Sequence, residues 1–349
     1  MRYSLILLIL LVILPTYSFA QSLGDKEKIA VNKLMELRSA KNEGEIKKLH
    51  ADFKLAIADL VRSKGFFDYS LNELKIADIK SADKTVRLLT WNVELTDLSN
   101  TYGGFVLRRE EGKDRVSTFE LNDVLDPYNS KPENVIDYKN WYGAIYYKII
   151  DFAYEGKVQY LLFGFDAGTT MSNYKILDVL SFTSQNAKFG SPVFRDADKV
   201  KKRVVFEYAN MASMSLEFEP KRARIVFDHL SPESSALEGL ASYYFPDMSY
   251  DAYVYDFDRE IWQLQSDVIA TNPEDVGERY FYALNKKTGK IEKNRMRSDW
   301  VNPTDQQNLA NGGHTAALPE PEINSDLKSN KKRLFRWKLF RKPVNPESY

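Results

Sequence analysis

The residues most suited to acid and base chemistry are three carboxylates on predicted strands between residues 203 and 229. Glu207, Glu217 and Asp228 fall on the polar face of these strands, opposite an apolar face that includes Phe206 and Phe218. Two carboxyl groups about 5 to 9.5 Å apart in a cleft serve as general acid and base in glycoside hydrolases. Mixed-sign pairs on a solvated sheet face give the same pattern and are commoner. Catalysis by these carboxylates is therefore the alternative interpretation.

Oxygen-bearing side chains also surround the turn in "YLLFGFDAGTTMSNYKILDVLSF", residues 160–182. Asp166, Asn173 and Asp178 are placed by the sequence in a loop between two apolar strands. A hard cation takes roughly six to eight oxygen ligands, but the spacing does not match an EF-hand. Turns use the same residue types to reach their backbone angles. The sequence favours a turn, with a metal site as the weaker option, and no cofactor is expected.

The stretch "YYFPDMSYDAYVY", residues 243–255, is the preferred binding region. Aromatic rings that stay exposed beside carboxylates suit stacking on sugar rings or contact with a partner protein. The candidate binding residues are Tyr243, Tyr244, Asp247, Tyr250, Asp251 and Tyr253. If the rings face inward they belong to the core, since Tyr253 and Tyr255 alternate like an ordinary strand.

The chain offers few residues for histidine-based or cysteine-based catalysis or metal binding. There is no cysteine, so disulfides and thiolate metal sites are excluded, and only His50, His229 and His314 are present. "FDHLSP" at 227–232 places an acid, a histidine and a serine in sequence, but adjacent strand residues point to opposite faces. His229 is predicted to be a core-edge residue bonded to backbone, and His50 a solvated or partly packed one.

Helical patterns occupy the N-terminal part of the chain. Residues 1–20 have Arg2 before an apolar run and small residues at 18 and 20, which predicts a secretory signal peptide cleaved before Gln21. A helix is predicted over about 26–38, and a second from Asn42 with Gly65 as its stop. Its buried stripe consists of Ile46, Leu49, Phe53, Ile57, Leu60 and Val61.

From about Val86 the apolar period changes to two, with Leu89, Trp91, Val93 and Leu95 on one face. Short strands bounded by turn residues follow as far as about residue 257, and no helix of crossover length separates them. The predicted fold is mainly β, an antiparallel sandwich, open barrel or bent sheet, preceded by an N-terminal helical hairpin.

The strand motifs carry a resemblance over residues 86–255. They are "RLLTWNVEL", "YGGFVL", "WYGAIYYKII", "YLLFGFDAGTTMSNYKILDVLSF", "VVFEYANMASMSLEFE", "IVFDHLSP" and "YYFPDMSYDAY". In order and spacing they resemble a family of secreted proteins of Gram-negative Bacteroidota for which no activity is established. The resemblance implies a single β-rich unit in a periplasmic or outer-envelope setting, and no catalytic residue or cofactor.

The C-terminal segment "KKRLFRWKLFRK", residues 331–342, mixes basic and apolar residues. Such segments attach to anionic lipid headgroups or to acidic partners. The candidate attachment residues are Lys331, Lys332, Arg333, Arg336, Trp337, Lys338 and Arg341. The chain as a whole has 49 basic and 49 acidic residues, so nothing directs it to nucleic acid.

Five segments follow from these patterns. They are the signal peptide (1–20), a helical segment (21–82), an antiparallel β domain (83–270), a hairpin with a polar linker (271–330) and the basic aromatic tail (331–349). The expected function is that of an exported, non-catalytic envelope protein in the periplasm, outer envelope or medium, contacting an envelope protein, a glycan or the anionic membrane surface. A secreted hydrolase of glycan or peptide is the alternative.

Overall fold

The computed structural model describes residues 21–110, 115–125, 130–183 and 185–268, together with the backbone of two further strands. The predicted signal peptide and basic tail, and His314, lie outside the described residues. Within them the chain is mainly β, with two α-helices at its start. This confirms the predicted class, a mainly antiparallel β protein preceded by a helical hairpin.

The helices are α1 (Leu23–Arg38) and α2 (Glu43–Val61). The strands in chain order are β1 (Ala77–Lys80), β2 (Val86–Glu94), β3 (Asn100–Arg109), β4 (Val116–Asn122), β5 (Ile136–Asp137), β6 (Ile145–Tyr154), β7 (Lys157–Asp166), β8 (Ser172–Phe182), β9 (Ala187–Phe189), β10 (Phe194–Asp196), β11 (Lys199–Lys201), β12 (Val204–Ala209), β13 (Leu216–Glu219), β14 (Arg224–Pro232), β15 (Tyr244–Asp256), β16 (Ile261–Gln265), β17 (Tyr280–Leu284) and β18 (Ile291–Arg295).

The helical hairpin follows its sequence pattern closely. Asn42 caps α2 by accepting a hydrogen bond from the Glu45 N–H (3.0 Å), and Ser22 with Asp25 forms a full capping box on α1. The predicted stripe on α2 packs into the core, which confirms it. The helix ends at Val61 rather than at Gly65, whose φ of +83° instead begins a short 3-10 turn. No helix of the described residues has the length and hydropathy to span a membrane.

The chain divides into two compact units, and the first contains two stacked sheets and the helices. Its first sheet has the order β1-β2-β3-β4, and Leu89, Trp91 and Phe105 on one face pack against α1 and α2. The opposite face, with Val86 and Leu88, packs against the second sheet. The unit is therefore layered as helices, sheet and sheet, because β2 is apolar on both faces.

The second sheet of this unit has the order β5-β9-β8-β7-β6, and β12 pairs with the other side of β8. The sequence predicts the strands from Arg203 to His229 as three neighbours. The structure differs, since β12 joins β8 whereas β13 pairs with β14. The β10–β11 hairpin also belongs to the first unit.

The second compact unit consists of residues 215–229, 247–256 and the described residues from 262 onward. Its strands follow the order β16-β15-β14-β13, and the β17–β18 hairpin forms a separate two-stranded sheet. Aromatic side chains fill this unit. Tyr255 packs on Trp262 with ring centroids 4.9 Å apart, and Phe227 packs on Tyr253 at 5.6 Å.

Candidate functional site

The β7–β8 turn and the strands beside it hold a buried ionic cluster in the first unit. Asp166, at the end of β7, forms an ion pair with Lys131, and both side chains are only 5% exposed. The Tyr102 hydroxyl and the Gly168 N–H also donate to Asp166 Oδ1, at 2.5 and 2.7 Å. Gly168 has a φ of +55°, and a Cβ there would overlap the Ser172 carbonyl oxygen. Glycine is therefore needed for the turn that aims its N–H at Asp166.

A second buried pair lies on the same face of the sheet. Arg203 Nε is 3.0 Å from Asp178 Oδ2, and both side chains are shielded from solvent. The hydroxyl of Tyr142 donates to the same oxygen at 2.7 Å, and the Tyr146 hydroxyl lies 3.3 Å from it. Burial and the Asp178 charge raise the pKa of Tyr142 and Tyr146 well above the ordinary tyrosine value. Both tyrosines therefore act as hydrogen-bond donors at neutral pH.

The ring of Tyr142 connects the two ion pairs. Lys131 Nζ lies 5.5 Å from its centroid, and the Arg203 guanidinium carbon lies 4.5 Å from it. Lys131 Nζ is also 5.3 Å from the Tyr174 ring, so the ammonium is held by two aromatic faces and one carboxylate. Burial of two carboxylates is tolerated here because each has a cation and hydroxyl donors.

The segment 130–135, called the strap below, covers this cluster and is fastened in both directions. It contributes Lys131 to Asp166, and it accepts hydrogen bonds from Arg203 Nη1 at the carbonyl oxygens of Pro132 and Asn134. Lys131 of the strap thus reaches Asp166 of the sheet, and Arg203, next to β12, reaches the backbone of the strap.

The structure places the three oxygen-bearing residues differently from the predicted loop. Asn173 and Asp178 lie in β8, and only Asp166 adjoins the turn. Asn173 donates to the Asn210 carbonyl oxygen at 3.0 Å, and in β8 it lies on the opposite face from Asp178. The described residues contain no group of three metal-ligating side chains. A cation at Asp166 would have to displace Lys131, and one at Asp178 would have to displace Arg203.

Glu207 of β12 belongs to the edge of this cluster. It pairs across the strands with Tyr174, and its Oε1 accepts a hydrogen bond from the Ser172 hydroxyl at 2.6 Å. Burial, and next the charge of Glu207, raise the pKa of Tyr174 to about 12. Glu207 and Tyr174, both half-buried, and the buried Ser172 thus form a polar edge beside the buried Asp166–Lys131 pair.

The other two candidate acids lie in the second unit, on strands of a different sheet from Glu207. Glu217 is exposed on β13 opposite Val226, and Asp228 Oδ2 accepts a hydrogen bond from the Ser215 N–H at 2.6 Å. The sequence predicts Glu207 and Glu217 on adjacent strands, and the structure corrects this, because β12 pairs with β8 whereas β13 pairs with β14.

The aromatic stretch 243–255 is divided between the two units. In the first, Glu233 N donates to Tyr243 O at 3.1 Å and closes an exposed loop, residues 233–243, called the contact loop below. The Tyr244 hydroxyl accepts a hydrogen bond from Gly239 N at 3.0 Å and fastens this loop. Leu240 is 52% and Tyr243 37% exposed on this loop.

In the second unit the same stretch is partly core. Tyr253 is buried against Phe227, and Asp247 is exposed, where it accepts from the Ser249 hydroxyl and N–H. Tyr250 is half-buried, and its carbonyl oxygen accepts from Val268 N. Of the predicted binding set, Tyr253 therefore follows the core interpretation, while Tyr243 and Asp247 are accessible.

A histidine–carboxylate pair adjoins this stretch. His229 Nδ1 lies 2.8 Å from Asp251 Oδ2, and Asp251 Oδ1 accepts from Asp267 N at 3.1 Å. The hydrogen bond to Asp251 raises the pKa of His229 above its ordinary value. The predicted backbone partner of His229 is replaced by this side chain, because Asp251 of β15 approaches β14 in the folded sheet.

The sequence pattern did not predict the cations of the buried cluster, Lys131 and Arg203, or its tyrosines. Lys131 precedes a proline in a stretch with no clear periodicity, and its partner is 35 residues away. A signal for Asp178 did exist. It falls on the same strand face as Ile176 and Leu180, and a lone carboxylate among buried apolar residues needs a cation or several donors. No such pattern points to the identity of that cation.

Comparisons with known proteins give no relative for this chain. No protein-family profile, curated protein or solved structure matches it significantly.

Proposed function

We propose that the protein is exported and serves as a non-catalytic binding or scaffolding protein of the cell envelope. The observation that carries the proposal is the contact loop, on which Leu240 and Tyr243 are exposed while the Tyr244 hydroxyl fastens the loop through Gly239 N. A fastened loop with an exposed aromatic ring loses little conformational entropy on binding, which suits contact with a glycan or a protein surface. The basic tail supplies the second attachment, to anionic lipid headgroups.

Three further carboxylates, outside the catalytic alternative of Glu207, Glu217 and Asp228, are engaged in structural contacts, which supports binding over hydrolysis. Asp166 and Asp178 are neutralised by Lys131 and Arg203, and the Asp251 carboxylate is bonded to His229. A general acid near neutral pH needs a carboxyl group that is held protonated and faces the substrate. These three carboxylates instead act as structural acceptors.

Cosedimentation with purified cell-wall glycan and with envelope protein tests the contact loop. We expect the double variant Leu240→Ser, Tyr243→Ala to lose at least about tenfold in affinity for whichever fraction the wild type binds. Leu55→Ser is the control, because Leu55 is equally apolar and 70% exposed on α2. Equal binding by the loop variant, or no binding by the wild type, would remove the contact loop from the proposal.

Vesicle binding tests the tail separately. Replacing Lys331, Lys332 and Arg333 by glutamine is expected to weaken binding to phosphatidylglycerol-containing vesicles and to leave the behaviour of the contact loop unchanged. Phosphatidylcholine vesicles are the control. Salt-independent binding that the variant retains would contradict electrostatic attachment.

Export has its own test, made on the full-length chain in a Gram-negative host. The protein is expected in the periplasmic or outer-membrane fraction, with a mass corresponding to an N-terminus at Gln21. Leu8→Arg interrupts the apolar run and should leave the unprocessed chain in the cytoplasm. Processing that is unaffected by this change would contradict the signal peptide.

A hydrolase is the second candidate, and the position of Glu207 favours it. This carboxylate is half-buried, accepts from Ser172 and adjoins Tyr174. If it acts as an acid or base, Glu207→Gln abolishes release of product from envelope glycan or peptide substrates, whereas Glu217→Gln and Asp228→Asn, both in the second unit, are controls that retain it. Absence of turnover in the wild type would reject this candidate.

A further inference from the structure

The edge of β2 is only partly covered by β1. Ala77 pairs with Thr90, where β1 begins, and β2 continues to Glu94 with β3 on its other side. No described strand pairs with the side of β2 beyond Thr90. About four residues of β2 therefore present one edge toward solvent.

A buried glutamate keeps this edge open. Glu27 of α1 is 2% exposed, and its Oε1 accepts hydrogen bonds from the backbone N–H groups of Asn72, Glu73 and Leu74 at 2.8, 2.7 and 2.9 Å. Burial alone would raise the pKa of Glu27, but the Leu74 N–H and the Tyr69 hydroxyl outweigh it and lower that pKa. The chain before β1 is thus fixed to α1 and does not continue along β2.

The orientation of the edge groups follows from the ladder. Ser81 N donates to Val86 O at 2.9 Å, and Val86 N donates to the Ser81 hydroxyl, so the backbone groups of Val86 face β1. Thr85 O accepts from Arg109 N on the opposite side. Because the direction alternates along an antiparallel strand, the N–H and C=O groups of Asn92 and Glu94 point outward beyond β1.

A cleft of about 330 Å³ lies against this edge. Its apolar walls come from Leu34 of α1, from Ile76 and Ala77, and from Ile145, and β2 contributes Thr90, Trp91 and Asn92. Two cations, Arg38 and Lys75, complete the lining, which contains no acidic residue. The volume lies within the range of roughly 300–1,000 Å³ found for ligand pockets.

We propose that this cleft binds an extended peptide segment that ends in a free carboxylate. The segment adds to β2 as an antiparallel strand, using the outward groups of Asn92 and Glu94. A strand that continues the line of β1 in this direction has its last residue next to Ala77, where Arg38 and Lys75 lie. An apolar side chain near that end fills the space beside Leu34 and Ile145. The proposal is independent of the contact loop and of the basic tail.

A pair of labelled peptides tests the predicted carboxylate. The probes are fluorescein-Thr-Val-Thr-Val with a free C-terminus and the same peptide as its C-terminal amide, each titrated with the mature protein by fluorescence anisotropy. We expect saturable binding of the acid and at least about tenfold weaker binding of the amide, since the charge-assisted hydrogen bonds are lost. Arg38→Glu should weaken binding of the free-acid peptide. Arg62 is an exposed arginine outside the cleft lining, so Arg62→Glu is the control and should leave this binding unchanged.

A second pair of variants tests the strand edge itself. Asn92→Pro removes the outward N–H without removing a bond to β3, and Asn92→Ala removes the side chain, including its bond to Asn100, but keeps that N–H. We expect Asn92→Pro to abolish peptide binding and Asn92→Ala to retain it, with unchanged circular dichroism for both. The proposal is overturned by absence of saturable binding to the wild type, by equal binding of acid and amide, or by full binding to a folded Asn92→Pro.

Discussion

At the residue scale, the first unit is organised by charges that are buried only because each has a partner. Asp166 with Lys131 and Asp178 with Arg203 share the ring of Tyr142. Such pairs give little net stability over an apolar core, but removing one partner is costly because the other charge stays buried. Lys131 and Arg203 also join the strap to the sheet, through Asp166 and through the carbonyl oxygens of Pro132 and Asn134.

Removing the ammonium of the strap tests this. Lys131→Met keeps most of the side-chain volume and leaves Asp166 buried without its cation, so we expect the free energy of unfolding to fall by about 3–5 kcal/mol. Urea unfolding measures it. The double variant Lys131→Met, Asp166→Asn removes both charges, and its free energy of unfolding should fall by less than that of the single variant. Losses that simply add would show that the two groups are not coupled.

His50 makes the first unit sensitive to acid. Its Nε2 accepts a hydrogen bond from the Trp91 indole N–H at 3.1 Å, and burial, followed by the charge of Lys54, lowers the pKa of His50 to about 4. The unfolded chain, with an ordinary histidine pKa near 6.5, therefore binds the proton more readily. Stability is lost as the pH falls from about 6.5 toward 4, by at most roughly 3 kcal/mol.

Comparison with His50→Gln isolates this contribution, because the glutamine amide oxygen can accept from the indole without titrating. Urea unfolding of both proteins between pH 7 and pH 4 is the measurement. We expect the wild type to lose more stability than the variant over this range, although both lose some through their carboxylates. Parallel curves would show that protonation of His50 is not penalised in the folded state.

At the element scale, the sheets depend on close approach between particular strands. Gly103 of β3 is opposite Trp91 of β2, and the Trp91 indole lies in the space that a Cβ at 103 would occupy. The Trp91 indole therefore packs over Gly103 of the neighbouring strand, on the sheet face that meets the helices. This packing requires a residue without a side chain at position 103.

Gly103→Ala is expected to destabilise the protein by at least about 2 kcal/mol, because either the indole or the strand must move. Thermal unfolding followed by circular dichroism measures the effect. Gly44→Ala is the matched control, since a Cβ there meets its nearest neighbour, Asn42, at an ordinary 3.5 Å and the position lies in α2. The control should be neutral or slightly stabilising. An unchanged midpoint for Gly103→Ala would contradict the packing described.

At the scale of the whole molecule, the first unit is stable because its middle sheet is covered on both faces. Phe53 of α2 is fully buried and packs edge-on against Trp91, with ring centroids 5.1 Å apart. The helical hairpin is therefore a layer of the core. This explains why β2 is apolar on both faces.

Truncation of Phe53 measures the contribution of that layer. Phe53→Ala should lower the free energy of unfolding by about 3–5 kcal/mol through lost burial and a residual cavity. Leu55→Ala is the control on the same helix, where 70% exposure predicts a change below about 0.5 kcal/mol. Similar small losses in both variants would mean that the helices pack only loosely on the sheet.

The sequence by itself determined the elements of this protein and the faces they bury. The stripe on α2, the alternation of Leu89, Trp91 and Val93, and the antiparallel β class follow from local periodicity, which depends only on backbone geometry and apolar side chains. These features depend on residues close together in sequence, so they can be predicted from the sequence alone. Asp178 was instead predicted to lie in a loop, although its apolar neighbours Ile176 and Leu180 indicate a buried strand face.

Only the tertiary structure decided which elements meet. β12 joins β8 rather than β13, Lys131 reaches Asp166 across 35 residues, and His229 finds Asp251 instead of backbone. A strand edge accepts any strand of suitable register, and a buried carboxylate accepts any cation. The choice among such equivalent partners is made by the packing of the whole unit, because the arrangement adopted covers both faces of its middle sheet and neutralises its buried charges together.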